Sequence, residues 1–424
     1  MQKNERSKIK TITLGCRFNF YESEISRAII DNLNTNDDIV IINTCSVTHE
    51  AERQSKQAVR KAIRENKNSK IIVTGCAAKT SKDYFESLDG VFKVIQNNDK
   101  ENINAYLNIP QPNSNIDLIE DITAAQNQIF EDRARAFIQI QNGCDHFCSY
   151  CIVPFTRGRS HSLPLENILK RVGFFLENGF SELVLSGIDI TSYGKDLDYR
   201  IELADVIEAI LKNYPNQKRL RISSIDPKGI SEKLLELLKY EKRIMPHFHL
   251  SIQSGDNQVL KAMKRRHTRE DIIAFCKQIK LTRNDVVFGA DFIAGFPTET
   301  DSMFQNTLSL IDEAELSLMH IFPFSSRKET LASKMVQLPQ PVISERARLL
   351  REKACEAKLK LFESMKGKKI RGIIEKTIDN VSYGKTDSFL PFVIKKAYNS
   401  SEIVNVLEII SYNENYLITK KNDN

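Results

Sequence analysis

The chain has 424 residues, 41% hydrophobic and 27% charged, with a net charge of +6. That length holds two or three domains around a substantial core, and the composition is ordinary for a soluble protein. The apolar runs, such as 39–42, are too short to cross a bilayer, and the polar, basic first ten residues carry no apolar h-region of a secretory signal. A cytoplasmic location is therefore expected, where cysteines serve more often as metal ligands than as cross-links.

Residues 1–108 alternate short strands, at 9–14, 38–43, 70–74 and 91–95, with amphipathic helices at about 21–33, 50–65 and 81–88. The pattern predicts an open parallel α/β sheet covered on both faces. Cys16, Cys45 and Cys76 each fall just after a strand, in Gly15-Cys16, Thr44-Cys45 and Gly75-Cys76. The carboxyl ends of such strands share one edge, where ligands gather. One cysteine after a strand is commonly a small buried apolar residue. Three in the same slot predict a three-thiolate metal site. A polar segment at 108–114, with Pro110 and Pro112, opens a linker, and the domain boundary is expected near 110–132.

From 135 to 325 the alternation resumes on a longer scale. Strands are predicted at 136–141, 183–186, 220–223, 248–252, 286–293 and 317–322, with helices at 165–178, 203–212, 231–238, 269–281 and 301–314. Six βα units predict a partial (β/α)6 barrel with its chemistry at the C-terminal strand ends. The loop after the first of these strands holds Gly143-Cys144-Asp145-His146-Phe147-Cys148-Ser149-Tyr150-Cys151. Cys-x3-Cys-x2-Cys, with no fourth cysteine nearby, suits three irons of a [4Fe–4S] cubane and leaves the fourth iron open to a small molecule. On spacing alone a Cys3His zinc site using His146 stays open, although the spacing is cramped and structural zinc closes its tetrahedron. Cys276 and Cys355 lie in helical patterns and are expected to be structural thiols. His247 and His249 share one strand face, where a packed or barrel-lining role is expected.

Residues 344–365 read as a basic helix, and 346–371 carries four Arg and six Lys against three Glu. Lys261, Lys264, Arg265, Arg266 and Arg269 form a second basic knot. Such surpluses attract polyanions, a solvated helix face being the alternative. Beyond Gly367, short alternating strands at 370–376, 389–394, 403–410 and 416–419, with turn signals at Asp379-Asn380 and Gly384, predict a small β-barrel of the oligonucleotide-binding sort, or a β appendage packed on the central barrel.

Cys144-x3-Cys148-x2-Cys151 resembles the signature of radical S-adenosylmethionine enzymes. Gln141-Asn142-Gly143-Cys144, Cys151-Ile152-Val153-Pro154 and Arg157-Gly158-Arg159 resemble the methylthiotransferase branch of that family. So do Gly15-Cys16 with Asn19 and Glu22-Ser23, Asn43-Thr44-Cys45 and Gly75-Cys76. The same holds for Arg221-Ile222-Ser223-Ser224, Gln253-Ser254-Gly255, Gly295-Phe296-Pro297-Thr298-Glu299-Thr300 and Phe324-Ser325-Ser326-Arg327. The resemblance covers nearly the whole chain. Two positions depart from it: Arg17 stands where the family usually has Lys, and Phe20 where it has Gln. Ser186-Gly187-Ile188-Asp189-Ile190-Thr191-Ser192-Tyr193-Gly194-Lys195-Asp196 is most similar to the enzymes acting on N6-threonylcarbamoyladenosine at position 37 of tRNA.

The resemblance implies two [4Fe–4S] clusters. Cys144, Cys148 and Cys151 would hold the one whose open iron binds S-adenosylmethionine, the source of a 5′-deoxyadenosyl radical. Cys16, Cys45 and Cys76 would hold an auxiliary one that carries the sulfur, and a methylthio group would reach carbon 2 of the adenine. Asp189, Ser224, Gln253 and Asp291, near predicted strand ends, are expected to touch S-adenosylmethionine. The implied domains are a methylthiotransferase N-terminal domain at 1–110, a radical core at 130–345, a basic connecting helix at 346–366 and a TRAM-like RNA-binding barrel at 367–424. Phe389, Phe392 and Tyr383 are candidates to stack a base, or core residues. The expected partners are the anticodon loop of tRNA and an electron donor that the sequence does not identify, with no membrane and a monomeric chain. The alternatives are action on isopentenyladenosine tRNA or on a ribosomal-protein aspartate, and a non-catalytic iron–sulfur sensor that binds RNA.

Overall fold

The structure, a computed structural model, describes residues 9–32, 37–100, 102–106 and 134–421; the predicted linker lies outside them. The chain packs as two compact units. One comprises the N-terminal segment through 106 with 142–160 and 325–333. The other comprises 134–141, 161–324 and 334–421.

The first unit is built on strands β1 (Ile9–Thr13), β2 (Ile39–Thr44), β3 (Lys70–Gly75) and β4 (Val91–Val94), parallel and in that order. β2 is a β-branched run, Ile-Val-Ile-Ile, and all six of its residues are buried, so both faces are covered there as expected. Helices α1 (Arg17–Asn32), α2 (His49–Glu65), α3 (Cys76–Thr80) and α4 (Lys82–Glu86) connect the strands. α2 starts where Thr48 accepts a hydrogen bond from the Ala51 amide, with Glu50 and Glu52 in its first turn and Arg64 in its last, which suits the helix dipole. This unit also holds a short helix the sequence did not announce, α5 (Val153–Arg157), two residues beyond Cys151.

The second unit contains six parallel strands. β5 (Arg135–Gln139), β6 (Glu182–Ser186) and β7 (Leu220–Ile222) form one sheet. β8 (His247–Gln253), β9 (Val287–Ala294) and β10 (Leu316–Pro323) form another. Parallel bridges Leu220–Ile244 and Ile225–Leu250 join the halves into the expected partial barrel. Helices α6 (Leu165–Glu177), α7 (Leu203–Asn213), α8 (Glu232–Tyr240), α9 (Asn257–Ala262), α10 (Arg269–Thr282) and α11 (Asp301–Glu313) alternate with the strands, and α12 (Gln340–Met365) follows.

The C-terminal part closes into a barrel of β11 (Lys369–Ile378), β12 (Val381–Thr386), β13 (Pro391–Ile394), β14 (Ile403–Tyr412) and β15 (Leu417–Lys421), in the order β11-β12-β13-β15-β14. Asp379 and Asn380, both with positive φ, make the β11–β12 turn, as a two-residue hairpin requires. Gly384, expected to mark a turn, lies inside β12 instead. A Cβ there would sit 2.4 Å from the Ile373 carbonyl and 2.5 Å from the Phe392 ring, so the glycine serves close packing.

This barrel is fastened to the starts of the central strands. Glu182 receives Arg219 (2.7 and 2.9 Å) and Arg221 (2.8 Å), all buried. Arg219 also pairs with Asp387, which Arg371 holds at 2.7 Å, and Arg135 pairs with Glu375. Phe389 stacks on His247, ring centroids 4.9 Å apart, with Arg135, Arg221 and Lys385 over the ring. Phe389 and Phe392 are therefore buried packing residues rather than base stackers, whereas Tyr383 is half-buried, edge-on to Tyr416.

The basic stretches are less available than composition suggests. Arg346 is buried and holds Glu299 (2.9 Å) and Asp301 (2.7 Å). Arg348 pairs with Glu345 and Glu352, and Lys353 with Asp312. In the second knot, Arg265 binds Asp226 at 2.9 Å and Arg269 is spent on Glu313 and nearby carbonyls. Lys358, Lys360, Lys368 and Lys369 carry no such pairing among the described ion pairs, and the last two are exposed.

Candidate metal centres

The strand ends of the first unit bring Cys16, Cys45 and Cys76 to one edge. Cys16 follows β1, Cys45 follows β2, and Cys76 opens α3 directly after β3. Two glycines allow the approach. Gly15 has φ +92°, and a Cβ on it would lie 2.7 and 2.8 Å from the Cys45 Cβ and Sγ. Gly75 has φ +99°, and a Cβ on it would lie 2.2 Å from the Thr44 carbonyl. Only glycine tolerates both the left-handed conformation and the crowding. Burial, with Cys76 and Cys16 close by, pushes the Cys45 thiol up to about 11. None of the eight cysteines is in a disulfide.

The surroundings of this trio supply charge and hydrogen bonds. Asn19 donates to the Leu14 and Thr44 carbonyls, 2.9 Å each, which ties the ends of β1 and β2 together. Its Oδ1 accepts from Arg157 Nη2 at 2.7 Å and faces the Cys16 sulfur at 3.9 Å. Asn97, beyond β4, donates toward the Cys76 sulfur at 3.8 Å and to the Thr156 carbonyl at 2.9 Å. Glu22 lies beneath, held by Arg157 (2.7 and 3.0 Å) and Lys100 (2.5 Å), and Lys100 also donates to Asn43 at 3.1 Å. Burial alone would raise the Glu22 carboxyl, but the two cations hold it at about 2.

Counted as two cations and one carboxylate, this buried group has one positive charge in excess. A cubane core of two formal positive charges on three thiolates has one negative charge in excess. The donor set and the charge balance therefore fit such a group.

Cys144, Cys148 and Cys151 lie on a tight, partly exposed loop of the same unit. Gly143 has φ +69°, and a Cβ on it would meet the Arg159 carbonyl at 1.9 Å. The Cys144 amide bonds the Gly158 carbonyl at 3.2 Å and the Cys151 amide the Cys148 carbonyl at 3.0 Å, so the loop folds back on itself. The Ala332 amide reaches the Ser149 carbonyl at 2.7 Å. Phe147 and Phe155 flank the loop edge-to-face, both exposed. α5 then links the two trios. It follows Cys151, its Thr156 carbonyl anchors Asn97 beside Cys76, and Arg157 anchors Asn19 beside Cys16.

The four residues expected to touch S-adenosylmethionine lie along the second unit. Asp189 follows β6 in a loop fixed by Gln141, whose Oε1 accepts from the Ile188 and Asp189 amides. Ser224 is half-buried just after β7, and Gln253 ends β8 with φ +77°. Asp291 lies in the body of β9, three residues before its end, and accepts from His249 and His320. The 186–196 stretch is largely structural. Tyr193 is buried with its hydroxyl on the Leu163 carbonyl at 2.6 Å, and Asp196 accepts from Ser162. Sequence reading missed Asn97, Lys100 and His320. Asn97 and Lys100 follow the fourth strand, in the slot the cysteines occupy after the first three. His320 left no such signal.

A family model described as the radical SAM superfamily matches residues 138–311, and one described as uncharacterized protein family UPF0004 matches 8–96. The chain is 43% identical to the threonylcarbamoyladenosine tRNA methylthiotransferase MtaB of Rickettsia prowazekii, covering 98% of each chain. It is 35% identical to the protein of the same name from Chlamydia pneumoniae, covering 90% of each. A tRNA-2-methylthio-N(6)-dimethylallyladenosine synthase of Ehrlichia canis is 32% identical over 95% of this chain and 97% of that one. Among solved structures, the radical S-adenosylmethionine methyltransferase TsrM of Kitasatospora setae shares the fold, with a TM-score of 0.50 at 11% identity over 75% of this chain and 76% of that one. With near-complete coverage at this identity, the chain belongs to the radical S-adenosylmethionine methylthiotransferase family.

Proposed function

We propose that the chain transfers a methylthio group to carbon 2 of N6-threonylcarbamoyladenosine at position 37 of tRNA. The observation that carries this reading is the presence of two cysteine trios in one compact unit, tied together by α5. The identity of 43% to the threonylcarbamoyladenosine enzyme of Rickettsia prowazekii, against 32% to the dimethylallyladenosine synthase of Ehrlichia canis, supports this substrate. Cys144, Cys148 and Cys151 would hold the cluster that binds S-adenosylmethionine, and Cys16, Cys45 and Cys76 the auxiliary one. When bound, these groups supply the electron that cleaves the sulfonium and the sulfur that is transferred. Asp189, Ser224 and Gln253 remain the candidate S-adenosylmethionine contacts, whereas Asp291, expected among them, is committed to His249 and His320 within its strand.

The chain's own residues do the rest. Gly15 and Gly75 allow the strand ends to converge, Arg157 balances the thiolate charge, and α5 fixes the spacing of the trios. The assignment of 1–110 and 130–345 to the two catalytic domains, of 346–366 to a connecting helix and of 367–424 to a TRAM-like barrel that holds tRNA belongs to the same proposal. So do a cytoplasmic setting, an external electron donor and a monomeric state. No helix of the described residues is long and apolar enough to cross a membrane.

The test is anaerobic turnover with S-adenosylmethionine, dithionite and tRNA carrying N6-threonylcarbamoyladenosine, read by nucleoside mass spectrometry. A 2-methylthio product is expected. Substituting Ala at Cys16, Cys45 and Cys76 should lower iron from about eight to about four per chain and abolish the product while 5′-deoxyadenosine still forms. Turnover that releases 5′-deoxyadenosine from the unsubstituted protein yet leaves the nucleoside unchanged would overturn the proposal.

A further inference from the structure

The inner face of the central barrel carries a polar cluster that neither trio uses. Asp291 lies directly across from His320 in the β9–β10 register, and His249 faces Gly289 across the β8–β9 register. The Asp291 Oδ1 is 2.9 Å from His249 Nε2 and 3.0 Å from His320 Nδ1. Gly289 makes the room: a Cβ there would lie 2.5 Å from His249 Nδ1 and 3.2 Å from His247 Nε2.

The layers above and below give the cluster its setting. Val287 and Leu318, at the starts of β9 and β10, pack against the C-terminal barrel and form a floor. One layer up come Asp291 and His320, and above them Ile293 and Phe322, paired in register toward the carboxyl ends where barrel chemistry sits. His320 and Phe322 are both exposed, at 64% of the His320 side chain and 39% of Phe322, and strand alternation puts them on one face. They are about 7 Å apart along the strand. The floor itself is positive, with Arg135, Arg219, Arg221, Arg371 and Lys385 against Glu182, Glu375 and Asp387.

A carboxylate behind an imidazole fixes which ring nitrogen points outward, and a ring protonated on both nitrogens donates its outer N–H to an anion. With His320 Nδ1 on Asp291, its Nε2 points outward. We propose that His320, held by Asp291 and positioned with His249, receives the carboxylate end of an amino-acid appendage on the substrate adenine, with Phe322 as the ring against which the purine stacks. This rests on the function proposed above and deepens it, since an adenine bearing an apolar isoprenoid group would leave His320 without its partner. A site built on a charged hydrogen bond rejects the analogue that lacks it far more strongly than an apolar pocket does.

The test uses anticodon stem-loop RNAs carrying N6-threonylcarbamoyladenosine, its carboxylate methyl ester, or unmodified adenosine. Binding to the anaerobic holoenzyme is measured by fluorescence anisotropy. The unsubstituted protein should prefer the free acid over the ester by about 10-fold or more. His320→Leu should reduce that preference to within about 2-fold and leave the affinity for the unmodified stem-loop intact. Asp291→Asn, which keeps His320 but loosens its orientation, should give an intermediate preference and serves should His320→Leu fail to fold. Retention of the full preference in both variants would overturn the proposal, as would equal binding of acid and ester by the unsubstituted protein. A divalent ion beyond the iron that disappears in His320→Leu would also overturn it, because the trio would then be a metal site. If the unsubstituted enzyme also fails to methylthiolate the acid-bearing RNA, the proposed function falls; if it does so without reading the carboxylate, only this inference falls.

Discussion

Arg157→Gln removes the positive charge that the auxiliary trio faces while leaving a polar side chain in place. The guanidinium reaches Asn19 Oδ1 at 2.7 Å and the Cys16 sulfur reaches the same oxygen at 3.9 Å, so the two legs cap the separation at about 6.6 Å. Two unit charges about 7 Å apart at an effective dielectric of about 20 interact by roughly 2 kcal/mol. For a one-electron couple that corresponds to on the order of 100 mV. Cys16 is exposed, so solvent screening reduces the expected shift to about 50–100 mV. The direction is fixed by sign: without the cation the reduced, more negative cluster loses more stabilisation, and the midpoint potential falls. The assay is an anaerobic redox titration followed by electron paramagnetic resonance, in protein with Ala at Cys144, Cys148 and Cys151 so that one cluster reports. Arg157→Lys should recover most of the potential. A midpoint that stays within about 20 mV of the parent, or rises, would refute the electrostatic role of Arg157.

Glu22→Gln should alter acid stability. The Glu22 carboxyl is held at about 2 against 4.5 when exposed, so its contribution is full above pH 4.5 and lost as pH falls toward 2. It amounts to about 3 kcal/mol, and urea midpoints for the variant should fall less steeply between pH 5 and pH 2.5 than those of the parent. Gly15→Ala, at φ +92° and against the Cys45 sulfur, should lower iron content toward about half without unfolding the second unit, read by iron and sulfide assay. Asp387→Ala leaves buried Arg219 to Glu182 alone and should destabilise the second unit by about 3 kcal/mol, visible as a lowered thermal midpoint. With Arg346, Arg348 and Lys353 committed to carboxylates, salt sensitivity of tRNA binding should come from a few lysines. Charge reversal at Lys368 and Lys369 should flatten the log–log slope by about 1.5, measured by titration from 50 to 200 mM salt.

The elements that were legible in the sequence are those with strong periodicity. The β-branched run of β2, the capped helices and the glycine–cysteine pairs after strands are local signals, and they describe a trio edge before any coordinates. The six βα units read correctly for the same reason. Three features were not legible because they depend on partners far away in sequence. Arg346 looks like one cation among many in a basic helix, and only Glu299 and Asp301 reveal it as a buried tie. Phe389 looks like a surface aromatic until His247 and two arginines enclose it. Gly384 carries a turn residue's composition, yet the Phe392 ring is what excludes a side chain there.

The fastening of the C-terminal barrel bears on how a nucleotide would be chosen. A barrel on a loose linker would raise the local concentration of RNA without fixing which base enters. Here Glu182 and Arg219 have no exposed side-chain surface, and the Asp387 and Phe389 segment sits directly on the starts of β5, β7 and β8. Undocking would strip buried charges of their partners, at about 3–5 kcal/mol, which keeps the undocked population below about 1%. Phosphates held by the barrel would then keep a constant distance from the His320 layer, because the floor beneath that layer, Val287 and Leu318, packs on the barrel's own core. Backbone contacts would set the register and the polar cluster would read the appendage, a division of labour in which the lysines need no sequence preference of their own.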